Sequence, residues 1–363
     1  MSIAADRCAR LMQGLDQDAF VAYNWEYSDK ATLRYLTGFT GEGALVVSED
    51  ATILLTDSRY TEQAKSEAAS VEVREIPLWT GKGLVEVFVE KGYKSIAFAS
   101  RRCTVSWLDA MRKLFEGDFV AHKEPVLPLR RVKSSDELER LRRAAKIADD
   151  AFEKLLPQIK IGMTEAEIAL QLEWLIRTTP GAEHLSFDMN VSTGPNAALN
   201  HYSPFHDPQP IQAGQLLLFD FGARVEGYNS DITRTISVGA PTDQAAEIYD
   251  LVLRANCAAI EAAAAGKTGV EIDAVARDLI AAGGHGERFG HGLGHGIGLE
   301  VHEAPSLSPR SEDTLEPGMV VTIEPGVYIP GFGGVRIEDD VVITESGCEV
   351  ITAFPKDRLI EVG

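Results

Sequence analysis

Long hydrophobic runs are missing from this chain. Nowhere in its 363 residues does an apolar stretch approach the ~18 residues needed to cross a bilayer. Residues 1–20 hold no basic stretch leading into an apolar one, so no secretory signal is visible and a cytoplasmic location is the default expectation. Cysteine is scarce: Cys8, Cys103, Cys257 and Cys348 stand singly, which excludes C-x-x-C zinc ribbons and disulfide frameworks. Basic residues are outnumbered, 35 against 55 acidic, for a net charge of -20. Such a surface repels nucleic-acid phosphates and anionic lipid, so neither is expected as a partner, and its ordinary consequence is solubility.

What is present is a globular composition, 45% hydrophobic and 25% charged, on a chain long enough for two domains. The first part alternates helical and strand-like segments, with Gly43 to Val47 and Ala51 to Thr56 reading as paired strands. The run EPVLPLRR at 124–131 carries two prolines and reads as a linker. It sets the expected domains at 1–130 and 131–363, both mixed α/β (α+β) in class. Beyond it, Ser134 with Glu137 and Thr164 with Glu167 form capping-box signatures, each followed by apolar residues at helical spacing. A hairpin is expected from about Gln215 to Val238. Two more helices, around Ile248–Ala259 and Ile272–Ile280, precede a strand pair from Met319 to Ile343. The second domain thus reads as two helix-helix-hairpin halves, with room for a site between their sheets.

The chemistry concentrates there. Six of the eight histidines fall between His201 and His302. Asp220 ends an apolar strand, and a turn around Val225-Glu226 predicts that Asp231 sits directly opposite it, with Cβ atoms ~5 Å apart. Carboxylates that close repel unless a cation lies between them; the alternative is two exposed aspartates flanking a turn. Glu324 likewise ends an apolar strand, and Arg336 and Glu338 share one strand face. An Arg–Glu salt bridge without metal is the alternative for this hairpin. The loop from Gly290 to Glu303 supplies His291, His295 and His302. Its alternating glycines disfavour helix and allow close backbone approach. One imidazole with four carboxylates is a hard, oxygen-rich set, suited to Mn²⁺ or a similar ion. Two such ions ~3.5–4 Å apart can clamp both sides of a displacement.

These segments, FDFG (219–222), SDITRT (230–235), GHGIGLEVHE (294–303), TIEPG (322–326) and VRIEDD (335–340), resemble the pita-bread metallopeptidases, the family of methionine aminopeptidase, aminopeptidase P and prolidase. YLTGFTG (35–41) and TDSRYTEQA (56–64) resemble the creatinase-type N-terminal domain of the latter two. The resemblance implies a creatinase-like N-terminal domain followed by a pita-bread catalytic domain. It implies two divalent metal ions, Mn²⁺ with Co²⁺ or Zn²⁺ as alternatives, held by Asp220, Asp231, His295, Glu324 and Glu338. Glu324 is expected also to act as base, and His302 to stabilise the tetrahedral intermediate. His201 and His291, with Tyr202, are expected on the substrate side, and Arg336 is expected to orient the carboxylates. The substrates implied are peptides with proline second, cut by a homodimer or larger assembly. A metal-free, creatinase-like hydrolase or binding module is the rival class on this fold.

Substrate length is read from the residues that come after His302. Prolidases commonly place an Arg shortly after that histidine; here the next four are Glu303-Ala304-Pro305-Ser306, and the first Arg is Arg310. Without a cation for the proline carboxylate, longer peptides are expected, favouring aminopeptidase P over a dipeptidase. A cation supplied from elsewhere, such as Arg59 of a partner subunit's N-terminal domain, reverses that expectation.

Overall fold

Near-continuous apolar runs such as Gly43–Val47 and Ser95–Ala99 belong inside a sheet covered on both faces, and the first part of the chain is built that way. The computed structural model describes residues 2–26, 28–77 and 81–363. Strands β1 (Ala19–Asn24), β2 (Gly43–Val47), β3 (Thr52–Thr56), β4 (Glu72–Glu75), β5 (Ser95–Ala99) and β6 (Asp118–His122) form one sheet in the order β4-β3-β2-β1-β5-β6. The β1–β2 and β2–β3 pairings are antiparallel and the rest parallel. Helix α1 (Ile3–Gln13) precedes β1, and helices α2 (Lys30–Thr37), α3 (Thr61–Glu67), α4 (Lys82–Glu90) and α5 (Val105–Leu114) connect strands. The chain divides into two compact units, Met1–Arg130 and Arg131–Gly363. The proline-bearing run read as a linker contains a helical turn, α6 (Leu127–Arg131). Pro128 lies in its first turn, where its missing N–H costs nothing.

The second unit repeats one plan. Helices α7 (Ser135–Leu155) and α8 (Glu165–Arg177) both begin with complete capping boxes, Ser134–Glu137 and Thr164–Glu167. Their apolar faces pack on β7 (His184–Leu185), β8 (Asn190–Thr193), β9 (Leu216–Phe221), β10 (Ala223–Val225), β11 (Tyr228–Asn229) and β12 (Ile232–Val238). Helices α9 (Asp243–Ala262) and α10 (Gly269–Ala282) pack on the second set. That set is β13 (Gly294–Gly296), β14 (Glu303–Leu307), β15 (Val320–Ile323), β16 (Gly326–Ile329), β17 (Gly333–Arg336) and β18 (Asp339–Ile343). Strands β19 (Cys348–Val350) and β20 (Glu361–Val362) edge the two main sheets, β14-β13-β15-β18-β19 and β20-β12-β9-β8. The hairpins meet directly: Glu338 N donates to Thr233 O at 3.1 Å and Thr235 Oγ1 to Arg336 O at 3.0 Å. Among the described residues no helix is long and apolar enough to cross a membrane.

One expected register is corrected. The first hairpin turns at Glu226-Gly227, both with positive φ, 47° and 84°, as a two-residue turn of the primed type requires. Val225 therefore pairs with Tyr228 and Asp220 with Thr233, not with Asp231. The expected turn lay one residue early because Gly227, the residue best suited to a left-handed position, was placed outside it. Asp231 becomes the diagonal neighbour of Asp220 on the same face.

Candidate metal centre

Both hairpins are interrupted on both arms; three of the expected ligands, Asp231, Glu324 and Glu338, lie in those interruptions, and Asp220 stands near the end of β9, two residues before one. Gly222 separates β9 from β10, and Ser230-Asp231 separate β11 from β12. Glu324-Pro325 separate β15 from β16, and Ile337-Glu338 separate β17 from β18. Pro325 has no N–H for a ladder bond, so the strand must break there. A side chain pointing out of such a break is free of the pleat's alternation and can turn into the space between the hairpins. His295 comes from β13, which pairs beside β15 through Gly296 and Val321. Glycine is needed there: a Cβ on Gly294 would lie 2.0 Å from Thr322 O.

The result is a cavity of about 860 Å³ whose walls include Asp220, Asp231, His295, Glu324 and Glu338, together with His201, Tyr202, His291, His302 and Arg336. Every residue expected as a metal ligand, catalytic group or substrate-side group lines this one cavity. Asp231, His295 and Glu338 bring one donor atom each to within 4.8 Å of one another. His295 Nε2 lies 3.7 Å from Asp231 Oδ2 and 3.6 Å from Glu324 Oε1. Its Nδ1 lies 3.1 Å from Gly296 O. Donation from Nδ1 to that carbonyl leaves the Nε2 lone pair facing the carboxylates.

Electrostatically the cluster is under-neutralised by protein alone. Four carboxylates face one buried guanidinium, Arg336, which is 4% exposed. Burial, then the charge of Asp220, pushes Glu338 up to about 7. Burial, then the charge of Glu338, raises Asp231 and Glu324 well above the carboxylate range; burial also raises Asp220. His295 is pushed down to about 4 by burial and then by His302, whose ring centroid is 4.3 Å away. Asp231 Oδ1 is buried without a hydrogen-bond partner. An orphaned carboxylate oxygen inside an acidic cluster is costly, and a divalent cation relieves both the orphan and the repulsion. Oxygen donors with one neutral imidazole fit such an ion.

A polar network orients this set. Arg336 donates to Asp220 Oδ2 at 2.5 Å, to Thr233 Oγ1 at 2.9 Å and to Tyr328 OH at 2.9 Å. Thr233 Oγ1 in turn donates to Glu338 Oε2 at 2.6 Å. His291 Nδ1 lies 2.7 Å from Gly292 O and its Nε2 lies 2.9 Å from Tyr328 OH. Both ring nitrogens of His291 are thus engaged by protein, and burial, then Arg336, pushes it down to about 4. Tyr202, expected to contact substrate, has its hydroxyl turned to buried Glu165, donating at 2.7 Å, so it offers no free donor to the cleft. Sequence reasoning missed Tyr328, Thr233 and Glu165. The strand period gave a signal for Tyr328, which shares a face with Gly326, the register partner of Arg336.

Comparison with known proteins places this geometry. The model of metallopeptidase family M24 matches residues 139–345, and that of the creatinase/prolidase N-terminal domain matches residues 6–132. The Xaa-Pro dipeptidase of Pyrococcus horikoshii is 36% identical over 364 residues, covering 99% of this chain and 100% of its own. The solved Xaa-Pro dipeptidase from Bacillus anthracis is 41% identical with a TM-score of 0.92, covering 99% of both chains. The solved X-Pro aminopeptidase from Thermotoga maritima is 40% identical with a TM-score of 0.92, again covering 99% of both.

Proposed function

From a chain that belongs to metallopeptidase family M24, we propose an Xaa-Pro dipeptidase that hydrolyses the amide bond preceding proline. This revises the sequence-based preference for longer peptides. Two full-length relatives at 36% and 41% identity carry the name Xaa-Pro dipeptidase. The aminopeptidase reading stands second, favoured by the Thermotoga maritima neighbour. The observation that carries the hydrolytic reading is the buried carboxylate–imidazole cluster opening on a peptide-sized cavity.

Asp220, Asp231, His295, Glu324 and Glu338 would hold two divalent ions, Mn²⁺ in this proposal; when bound, these supply Lewis acidity and water of pKa lowered towards ~7. The chain's own groups do the rest. Glu324 takes a proton from the attacking water and passes it to the proline nitrogen as the C–N bond breaks. The His302 imidazole donates a hydrogen bond to the oxyanion as it develops. His201 and His291, in the same cavity wall, flank the substrate. Asp231 and Glu338 are buried and Asp220, His295 and Glu324 half-buried, so charge interactions among them are stronger than in open water. Arg336 holds Asp220 in place and partly neutralises the acidic cluster when no ion is bound.

The test is hydrolysis of an Xaa-Pro dipeptide by purified protein with Mn²⁺, Co²⁺ or Zn²⁺ after chelation, beside the same dipeptide with alanine second. Metal-dependent cleavage of the proline substrate is expected. Cleavage of neither substrate with any ion would overturn the proposal, as would full activity in protein shown to be metal-free.

A further inference from the structure

Glu165 is fully buried, with no Lys or Arg at ion-pair distance among the described residues. A buried carboxylate without a cation is retained only where donors surround it. Here every side-chain donor comes from one segment. Glu165 Oε1 accepts from Thr193 N at 2.7 Å and Asn196 Nδ2 at 3.1 Å. Oε2 accepts from Tyr202 OH at 2.7 Å and Gln209 N at 2.9 Å. The carboxylate therefore gathers residues 193–209, the stretch that carries His201.

Helix capping does not account for this. Glu165 opens α8, where the helix dipole favours a negative charge, but the helix start is already satisfied by the Thr164–Glu167 box. Meanwhile His201 has no ring hydrogen bond to protein among the described residues, although it lines the cavity with the carboxylates. Its position depends on its neighbours in the chain. Asn200 O accepts from Asn190 Nδ2 at 3.3 Å, and Asn190 pairs with Asp220 across β8 and β9. On the other side, Tyr202 is fixed by Glu165.

We propose that Glu165 is a positioning residue that holds the His201 imidazole in the substrate cavity through the hydroxyl of Tyr202. This rests on the reading of His201 as a substrate-side group. Loss of the Tyr202 hydroxyl frees the His201 backbone without touching the metal ligands, so substrate binding weakens more than turnover.

The experiment is a double-mutant cycle with an Xaa-Pro dipeptide on Mn²⁺-loaded protein, using Tyr202→Phe, His201→Ala and the pair. Tyr202→Phe is expected to raise KM about tenfold, the scale of one hydrogen bond to a charged acceptor, with a smaller change in kcat. In the His201→Ala background the same change should have an effect below about twofold. Equal effects in both backgrounds would mean a purely structural bond and overturn the proposal; no effect in either would do the same. Glu165→Gln, which cannot accept from all four donors, should reproduce the KM rise if it folds. Imidazole NMR on the Zn²⁺-loaded protein, which is diamagnetic, gives a readout independent of activity: Tyr202→Phe must shift the His201 resonances and leave those of His295 and His302 in place. If wild-type protein cleaves no Xaa-Pro peptide, the functional reading fails, and an unmoved His201 resonance in Tyr202→Phe still decides against the positioning role.

Discussion

Arg336 reaches from the second hairpin to the first and donates to Asp220 Oδ2 at 2.5 Å. The same guanidinium binds Thr233 and Tyr328, so its planar fork fixes three groups at once. Lysine, a single-point donor, cannot do this. Arg336→Lys is therefore expected to fold but to weaken metal binding about 10–100-fold, the usual effect of removing a residue that orients a ligand. Calorimetric titration with Mn²⁺ checks it, and unchanged affinity would sink the assignment.

Glu324 and His302 should separate kinetically. Glu324→Gln removes a ligand charge and the base together, so its loss in kcat should exceed the ~10²–10⁴ of a general base alone. His302→Ala should lower kcat by ~10²–10³ while KM moves little, because its bond is made in the transition state. Wild-type kcat in either variant refutes its role.

Metal and pH are linked through the same residues. Glu338 rises from 4.5 to about 7 on folding without metal, so its stabilising protonation is complete below the unfolded value and is lost as pH climbs through the folded one. Asp220, Asp231 and Glu324 move in the same direction, as does buried Asp340, whose Oδ2 accepts from Asp231 N at 3.0 Å. His291 and His295, lowered from 6.5 to about 4, act oppositely, losing stability as pH falls through the folded value. With five carboxylates against two imidazoles, metal-free protein should lose stability between about pH 5 and 7, while ion binding strengthens as its ligands deprotonate. The Tm gap between Mn²⁺-loaded and chelated protein should widen across that range. A gap independent of pH counts against the cluster as the binding site.

The fold and the family were legible where local chemistry dominates. Acidic residues closing apolar strands stood out because such burial needs an explanation, and the family resemblance drawn from their five segments holds across the chain. Capping boxes at Ser134 and Thr164 located α7 and α8; the same signature at Thr268–Glu271 went unread. The hairpin turn was misplaced by one residue, which moved the partner of Asp220 by two, from Asp231 to Thr233, because the register hung on which residues adopt positive φ. The network residues escaped for a different reason. Glu165 meets donors 28–44 positions away, and Tyr328 matters only because Arg336 and His291 converge on its hydroxyl. Such convergence is a property of the folded backbone and leaves no periodic trace in the chain.

Substrate length turns on where the proline carboxylate finds a cation, since burying it unpaired is expensive. The segment after His302 contributes Ser306 and Ser308 to the cavity wall, both neutral. Arg59 is already held by Asp57 at 2.8 Å and Glu42 at 3.3 Å, so recruiting it means breaking an existing pairing. Among the described residues, the arginines that line the cavity are Arg336 and Arg177, and no lysine joins them. Arg336 is buried and committed to Asp220. Arg177 is 40% exposed at its side chain, held by Glu173 at 2.7 Å, an ion pair of the kind that yields readily to a competing carboxylate. The dipeptidase reading thus requires Arg177, or a cation outside the cavity wall such as Arg59 of a partner subunit. An Xaa-Pro dipeptide should be preferred over the same sequence extended by two residues by tenfold or more in kcat/KM, ~1.4 kcal/mol. Arg177→Ala should erase that preference and leave turnover of the extended peptide intact. If Arg59→Ala erases it instead, the clamp comes from the N-terminal domain. Equal or better cleavage of the extended peptide by the wild type returns the assignment to aminopeptidase P.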